Sequence, residues 1–141
     1  MYYGLGCRSV SKIYLPKDYD FNILFKQVYS WKDIINNGSY YNNYTYNKTI
    51  YLMSEEKFFD NGFLILKESA EIGSPIGAVF FEYYENDNTV IKSLKKYSEK
   101  IQCMVGRNIV ENSVEFGNTQ RPSLDDFADK INTLDFLLKL S

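Results

Sequence analysis

Asp60-Asn61-Gly62-Phe63-Leu64-Ile65-Leu66 joins a turn signal to four consecutive apolar residues. Asp-Asn-Gly marks a turn because these residues accept backbone angles that bulkier ones avoid. A short continuous apolar run suits a strand buried on both faces, as parallel sheets require. A polar loop from Glu68 to Pro75 follows, with Gly73 inside it. Residues 76–84 are rich in Val, Ile and aromatic side chains and read as the next strand.

Working back from this pair, residues 39–49 are dense in Tyr and Asn and resemble a linker by composition. Tyr44, Lys48, Tyr51 and Leu52 nevertheless recur at helical spacing, which predicts a helix over 41–54 with packed tyrosines. Phe21, Leu24, Phe25 and Val28 predict an earlier helix with Asp20 as its N-cap, trailing through Trp31, Ile34 and Ile35 to a turn at Asn36-Asn37-Gly38. Residues 10–15 read as a strand stopped by Pro16.

Working forward, Asn88 is placed as the cap of a helix with Val90, Ile91, Leu94 and Tyr97 on its apolar face and Lys92, Lys95, Lys96 and Lys100 in solvent. Residues 101–105 form the next expected strand, with Cys103 as inert packing. Gly106 breaks it, and 114–117 reads as an edge strand. Ser123 is placed as a helix cap, and Asp125, Asp126 and Asp129 as helix-terminus acids rather than metal ligands, so no metal site is expected. A last helix carries Leu134, Phe136, Leu137, Leu138 and Leu140. This alternation predicts an α/β fold, a mostly parallel sheet with flanking helices, in one domain over 1–141.

The 16 basic and 18 acidic residues nearly cancel, so no nucleic-acid partner is expected. No apolar run is long enough for a membrane span, and Met1-Tyr2-Tyr3-Gly4 is not a secretion signal. Two distant cysteines make no disulfide framework, and the expected compartment is the cytoplasm. The chain has no histidine. That removes Ser-His-Asp and Cys-His schemes and most zinc sites.

One nucleophile stands out. Gly4-Leu5-Gly6-Cys7 sets a thiol on a glycine turn, with Arg8 and Lys12 close in sequence and the 10–15 strand after it. Glycines allow close ligand approach, and nearby cations favour the reactive thiolate. The plainer reading of Cys7 is a small apolar residue near a chain end.

Gly-x-x-Cys, a basic residue five positions on and then an apolar strand resemble the catalytic-cysteine segment of the aldehyde dehydrogenase superfamily. Lys12 stands where those enzymes usually carry arginine. Glu71-Ile72-Gly73-Ser74-Pro75 resembles the superfamily's Glu-x-Phe-Gly-Pro motif, with Gly73 and Ser74 departing from it. The chain as a whole is similar to the acyl-CoA reductases related to LuxC. That resemblance runs through residues 3–12, 17–21, 60–64, 74–76, 100–103, 116–122 and 126–129.

The resemblance implies the C-terminal part of an aldehyde-dehydrogenase-like catalytic domain. It implies that Cys7 accepts an acyl group as a thioester, that Glu71 holds the nicotinamide ribose of NADPH, and that a fatty aldehyde is released. Fatty acyl-CoA, or another activated acyl group, is the implied substrate. In such enzymes the dinucleotide-binding domain precedes the cysteine, where this chain has six residues. Gly4-x-Gly6-x-x-Ser9 does not replace it, since Ser9 sits at the third glycine position and no strand precedes it. The expectation is a segment that needs an N-terminal domain, or self-association, to act. The alternative is a folded interaction domain without reductase activity.

Overall fold

The computed structural model describes residues 6–106, 113–124, 126–127 and 131–140. The chain divides into two compact units, Met1–Thr89 and Val90–Ser141.

The first unit is an α/β sandwich built on an open, mostly parallel sheet of four strands. In chain order its elements are β1 (Lys12–Pro16), α1 (Phe21–Val28), a 3-10 segment (Tyr29–Asn36), α2 (Gly38–Met53), β2 (Phe58–Asp60), β3 (Ile65–Glu68) and β4 (Ala78–Tyr84). The sheet order is β1-β4-β3-β2. β1 and β3 run parallel to β4, and β2 runs antiparallel to β3.

Ile65 and Leu66 are fully buried, one on each face of the central strand pair. This is the two-sided burial that the apolar run requires, because successive strand side chains point to opposite faces. On one face, Tyr40, Tyr44 and Tyr51 of α2 pack with Ile65, Ala78 and Phe80. On the other, Phe21 of α1 packs with Leu15, Leu66 and Phe81, flanked by Leu24 and Phe25. The Phe21 ring lies 4.3 Å from Phe59 and 4.8 Å from Phe81, centroid to centroid. Part of the aromatic content thus builds the core, while Tyr29, Trp31, Tyr41 and Tyr46 are exposed.

The caps follow local chemistry. The Asp20 carboxylate accepts the Asn22 N–H at 2.9 Å, and the Asn37 side chain accepts the Tyr40 N–H at 3.0 Å. Asp20→Ala is expected to cost about 1 kcal/mol, read as a lower urea midpoint at unchanged slope. The predicted helix over 41–54 is α2, which starts at Gly38, and its Leu52 is exposed.

Gly77 fixes how α2 meets the sheet. Its φ is +80°, in the turn where the Ala78 N–H reaches the Pro75 carbonyl at 3.1 Å. A Cβ there would sit 2.9 Å from both Cα and Cβ of Tyr44. Asn47 adds a hydrogen bond to the Ile76 carbonyl at 3.0 Å.

The second unit opens within α3 (Asp87–Lys96) and ends with α4 (Thr133–Leu138). The α3 cap is Asn86 rather than Asn88: its side chain accepts the Thr89 N–H at 3.1 Å. The strand expected over 101–105 does not form. Only Val105 pairs, as an isolated parallel bridge with Val114, so the edge strand expected over 114–117 also reduces to that bridge. An apolar segment without a ladder partner stays irregular, because a strand's backbone groups are satisfied only by a neighbour. At the helix start expected near Ser123, the described residues make one turn, with the Asp126 N–H 3.1 Å from the Ser123 carbonyl. Asp125 and Asp129 lie outside the described residues. No helix among the described residues is long and apolar enough to cross a membrane.

Candidate functional site

Cys7 is exposed in the turn that leads into β1. The turn is closed by the Ser9 N–H donating to the Gly6 carbonyl at 2.8 Å. Gly4 and Leu5 of the motif lie outside the described residues. Cys103 is half-buried, with its thiol 4.0 Å from the Met104 carbonyl. The two thiols thus differ in access, although Cys103 lies outside any strand.

Lys12 opens β1, five residues after Cys7. Its ammonium donates to Glu82 at 2.7 Å and to the Ser69 carbonyl at 2.9 Å, and lies 5.2 Å from the Tyr14 ring centroid. The Lys12 side chain is 5% exposed, against 39% for Glu82. Register explains the pair. Lys12 is level with Phe80 and Tyr14 with Glu82, so Lys12 and Glu82 are diagonal neighbours on one face. Lys12, one of the two cations that the sequence offers to Cys7, is therefore already paired with a carboxylate.

Glu71 is exposed on the loop between β3 and β4. Its N–H donates to the Ser69 hydroxyl at 3.2 Å, and the Ser69 N–H donates to the Phe81 carbonyl at 3.0 Å. Tyr51 of α2 has its phenol pKa raised by burial first and then by the charges of Glu56 and Glu71. Ser74, in the same loop, donates to the Ala78 carbonyl at 2.8 Å and braces the turn before β4.

Strand stagger sets Lys12 and Lys67 at the same level, both opposite Phe80. The segments bearing Cys7 and Glu71 thus leave the sheet from neighbouring levels in opposite strand directions. Their link is indirect, through Lys12 and Ser69.

Sequence reasoning did not single out Glu82. The signal was there: it is the one acid inside the strand Ala78–Tyr84, and an acid among apolar residues needs a partner.

A second polar cluster joins α2 to the turn after β2. The Tyr44 hydroxyl donates to Asp60 at 2.7 Å, and the Lys48 ammonium lies 2.5 Å from the other Asp60 oxygen. The Gly62 N–H also donates to Asp60, at 2.9 Å. Burial, with the Asp60 hydrogen bond and charge, pushes the Tyr44 pKa up to about 12. A phenol held neutral in this way is not a base near neutral pH, so the cluster reads as structural.

No family model, curated protein or solved structure matches this chain.

Proposed function

We propose that the chain is the acyl-accepting, C-terminal segment of an acyl-CoA reductase with an aldehyde-dehydrogenase-like catalytic domain, and that Cys7 is its nucleophile. One observation carries the reading: the Cys7 thiol is exposed in a turn at the mouth of a parallel strand. In the reaction, the Cys7 sulfur attacks the acyl-CoA carbonyl. The new carbon–sulfur bond replaces the one to CoA. The CoA thiolate leaves and is protonated, and the proton of the Cys7 thiol passes to water. An N–H near the carbonyl oxygen would stabilise the tetrahedral intermediate, and the Cys7 backbone amide is the candidate.

The crossover that carries Glu71 does not form a dinucleotide site on its own. β3 and β4 are joined by a loop rather than a helix, so the β3–β4 crossover offers no helix N-terminus for a pyrophosphate. The first turn of α3 carries Asp87, and the N-cap of α1 is Asp20; both would repel phosphate. Glu71 has an exposed carboxylate that can accept ribose hydroxyls, and Lys12, which reaches the neighbouring Ser69 carbonyl, is already paired with Glu82. The reading therefore assigns this chain the acyl transfer, and assigns the nucleotide to a separate domain or polypeptide.

The test is labelling with an alkyne-tagged palmitoyl-CoA. Wild type and Cys103→Ser should take up hydroxylamine-sensitive label, and Cys7→Ser should not. Iodoacetamide should also modify Cys7 at least about tenfold faster than Cys103 in the folded protein, since reactivity follows access. Equal alkylation rates, or label that survives Cys7→Ser, would sink the reading.

A second reading is a folded domain that self-associates or binds a partner without reductase activity. It draws on the apolar residues exposed in the second unit, among them Phe116, Leu124, Leu134, Leu137 and Leu138. Absence of label, together with concentration-dependent mass in sedimentation, would favour it.

A further inference from the structure

We infer that Lys12 is a positioning residue that ties the Glu71-bearing loop to the strand that follows Cys7. The inference rests on the proposed function, taken with the Glu71 role that the resemblance implies. Lys12 begins β1, and its ammonium reaches across β4 to the Ser69 carbonyl at 2.9 Å, one residue past the end of β3. Ser69 is in turn the residue that orders Glu71, because its hydroxyl accepts the Glu71 N–H at 3.2 Å. Glu82 holds the ammonium from β4 at 2.7 Å, which keeps Lys12 aimed along the sheet rather than into solvent.

The burial is lopsided. The Lys12 side chain is 5% exposed and Glu82 39%. A half-exposed carboxylate that loses its partner is rehydrated at small cost. The Ser69 carbonyl belongs to a half-buried residue, and its bond to Lys12 is itself partly buried, so water replaces it less readily. Lys12 therefore acts mainly on the loop, and Glu82 acts by aiming Lys12. The geometry also explains how a residue five positions from the nucleophile can matter without touching an acyl group.

Amide hydrogen exchange on the full chain tests this. The reporters are the Ser69 and Glu71 amides, and the Ile65 and Leu66 amides of the core are the reference. In Lys12→Met the two loop amides should exchange about tenfold faster while the core amides hold their rates. Lys12→Arg, which keeps both donors, should restore the wild-type pattern to within about threefold. Glu82→Gln should change the loop rates by no more than about threefold, since the glutamine side-chain oxygen can still accept from Lys12 and keep it aimed at Ser69. Unchanged loop rates in Lys12→Met overturn the inference. So do loop and core rates that rise together, a Lys12→Arg that behaves like Lys12→Met, or a Glu82→Gln that frees the loop as fully. If Lys12→Met does not fold, Lys12→Gln, which lacks the ammonium, takes its place with the same expected and overturning outcomes. Acyl labelling of wild-type Cys7 is scored separately: no label removes the acyl-transfer reading, whereas a labelled wild type with an unchanged Lys12→Met loop removes the Lys12 role alone.

Discussion

Gly77→Ala is expected to destabilise the first unit by about 3–4 kcal/mol, from two costs that add. An alanine at φ +80° is in the left-handed region, and its methyl would lie 2.9 Å from Tyr44 Cα and Cβ. Those atoms belong to the helix backbone and its first side-chain carbon, so no rotamer change relieves the clash. The helix must move off β4 or the turn must open, and either loosens the packing of Tyr44 on Ala78 and Phe80. Gly62→Ala is the control. Gly62 also has positive φ, +93°, but nothing lies within 4 Å of a Cβ there. It should cost only about 1 kcal/mol, the conformational part alone. Urea unfolding of the two variants separates contact from backbone strain, and equal losses would show that the close approach of α2 contributes nothing. A domain is stable by roughly 5–15 kcal/mol, so the Gly77 variant should show a clearly lowered midpoint.

Gly77 also marks the limit of what the sequence discloses. The run Phe63-Leu64-Ile65-Leu66 reads as a buried strand, and Ile65 and Leu66 are buried on opposite faces of β3. Phe63 and Leu64 belong instead to the turn, because the Asn61 side-chain oxygen accepts both of their N–H groups. Tyr44 and Tyr51 were legible as a helical stripe, and Asp20 as a cap, since both are local patterns. β2 was not legible. It has three residues, too few for a period, and exists through its register against β3, Phe59 opposite Leu66. The Lys12–Glu82 pair was hidden for a similar reason: the residues are 70 positions apart and meet only because β1 aligns with β4. Over 101–105 the error ran the other way. Composition suited a strand, but a strand needs a ladder, and only Val105 found one. For the candidate site, the access of the Cys7 thiol was readable, whereas the pairing of Lys12 with Glu82 was a tertiary fact.

Asp60→Ala is expected to cost about 2–3 kcal/mol, because it strips three donors of one acceptor group at once. The Tyr44 hydroxyl is left buried without its carboxylate, the Gly62 N–H loses the contact that shapes the turn, and Lys48 loses its ion pair. Lys48 is 37% exposed and can return to water, so its share is small. Tyr44→Phe should cost about 1 kcal/mol, since Asp60 keeps its other partners. The pH dependence separates the charge from the shape. Burial alone would raise the Asp60 pKa, but hydrogen bonds from Lys48, Tyr44 and the Gly62 N–H outweigh it and hold the carboxyl below its ordinary 3.8. The native state then binds fewer protons than the unfolded chain near that pH. The Asp60 contribution is full above 3.8 and is lost as pH falls through the lower folded value. The stability gap between wild type and Asp60→Asn should thus be widest above about pH 5 and shrink in acid. At the other limb the sign reverses: the Tyr44 pKa is raised from 10.0 to about 12, so its contribution is full below 10.0 and lost between those values. Tyr44→Phe should remove that alkaline loss while leaving the acid limb largely in place. A gap between wild type and Asp60→Asn that stays constant from about pH 6 to about pH 3 would mean that the carboxylate acts through shape and not through charge.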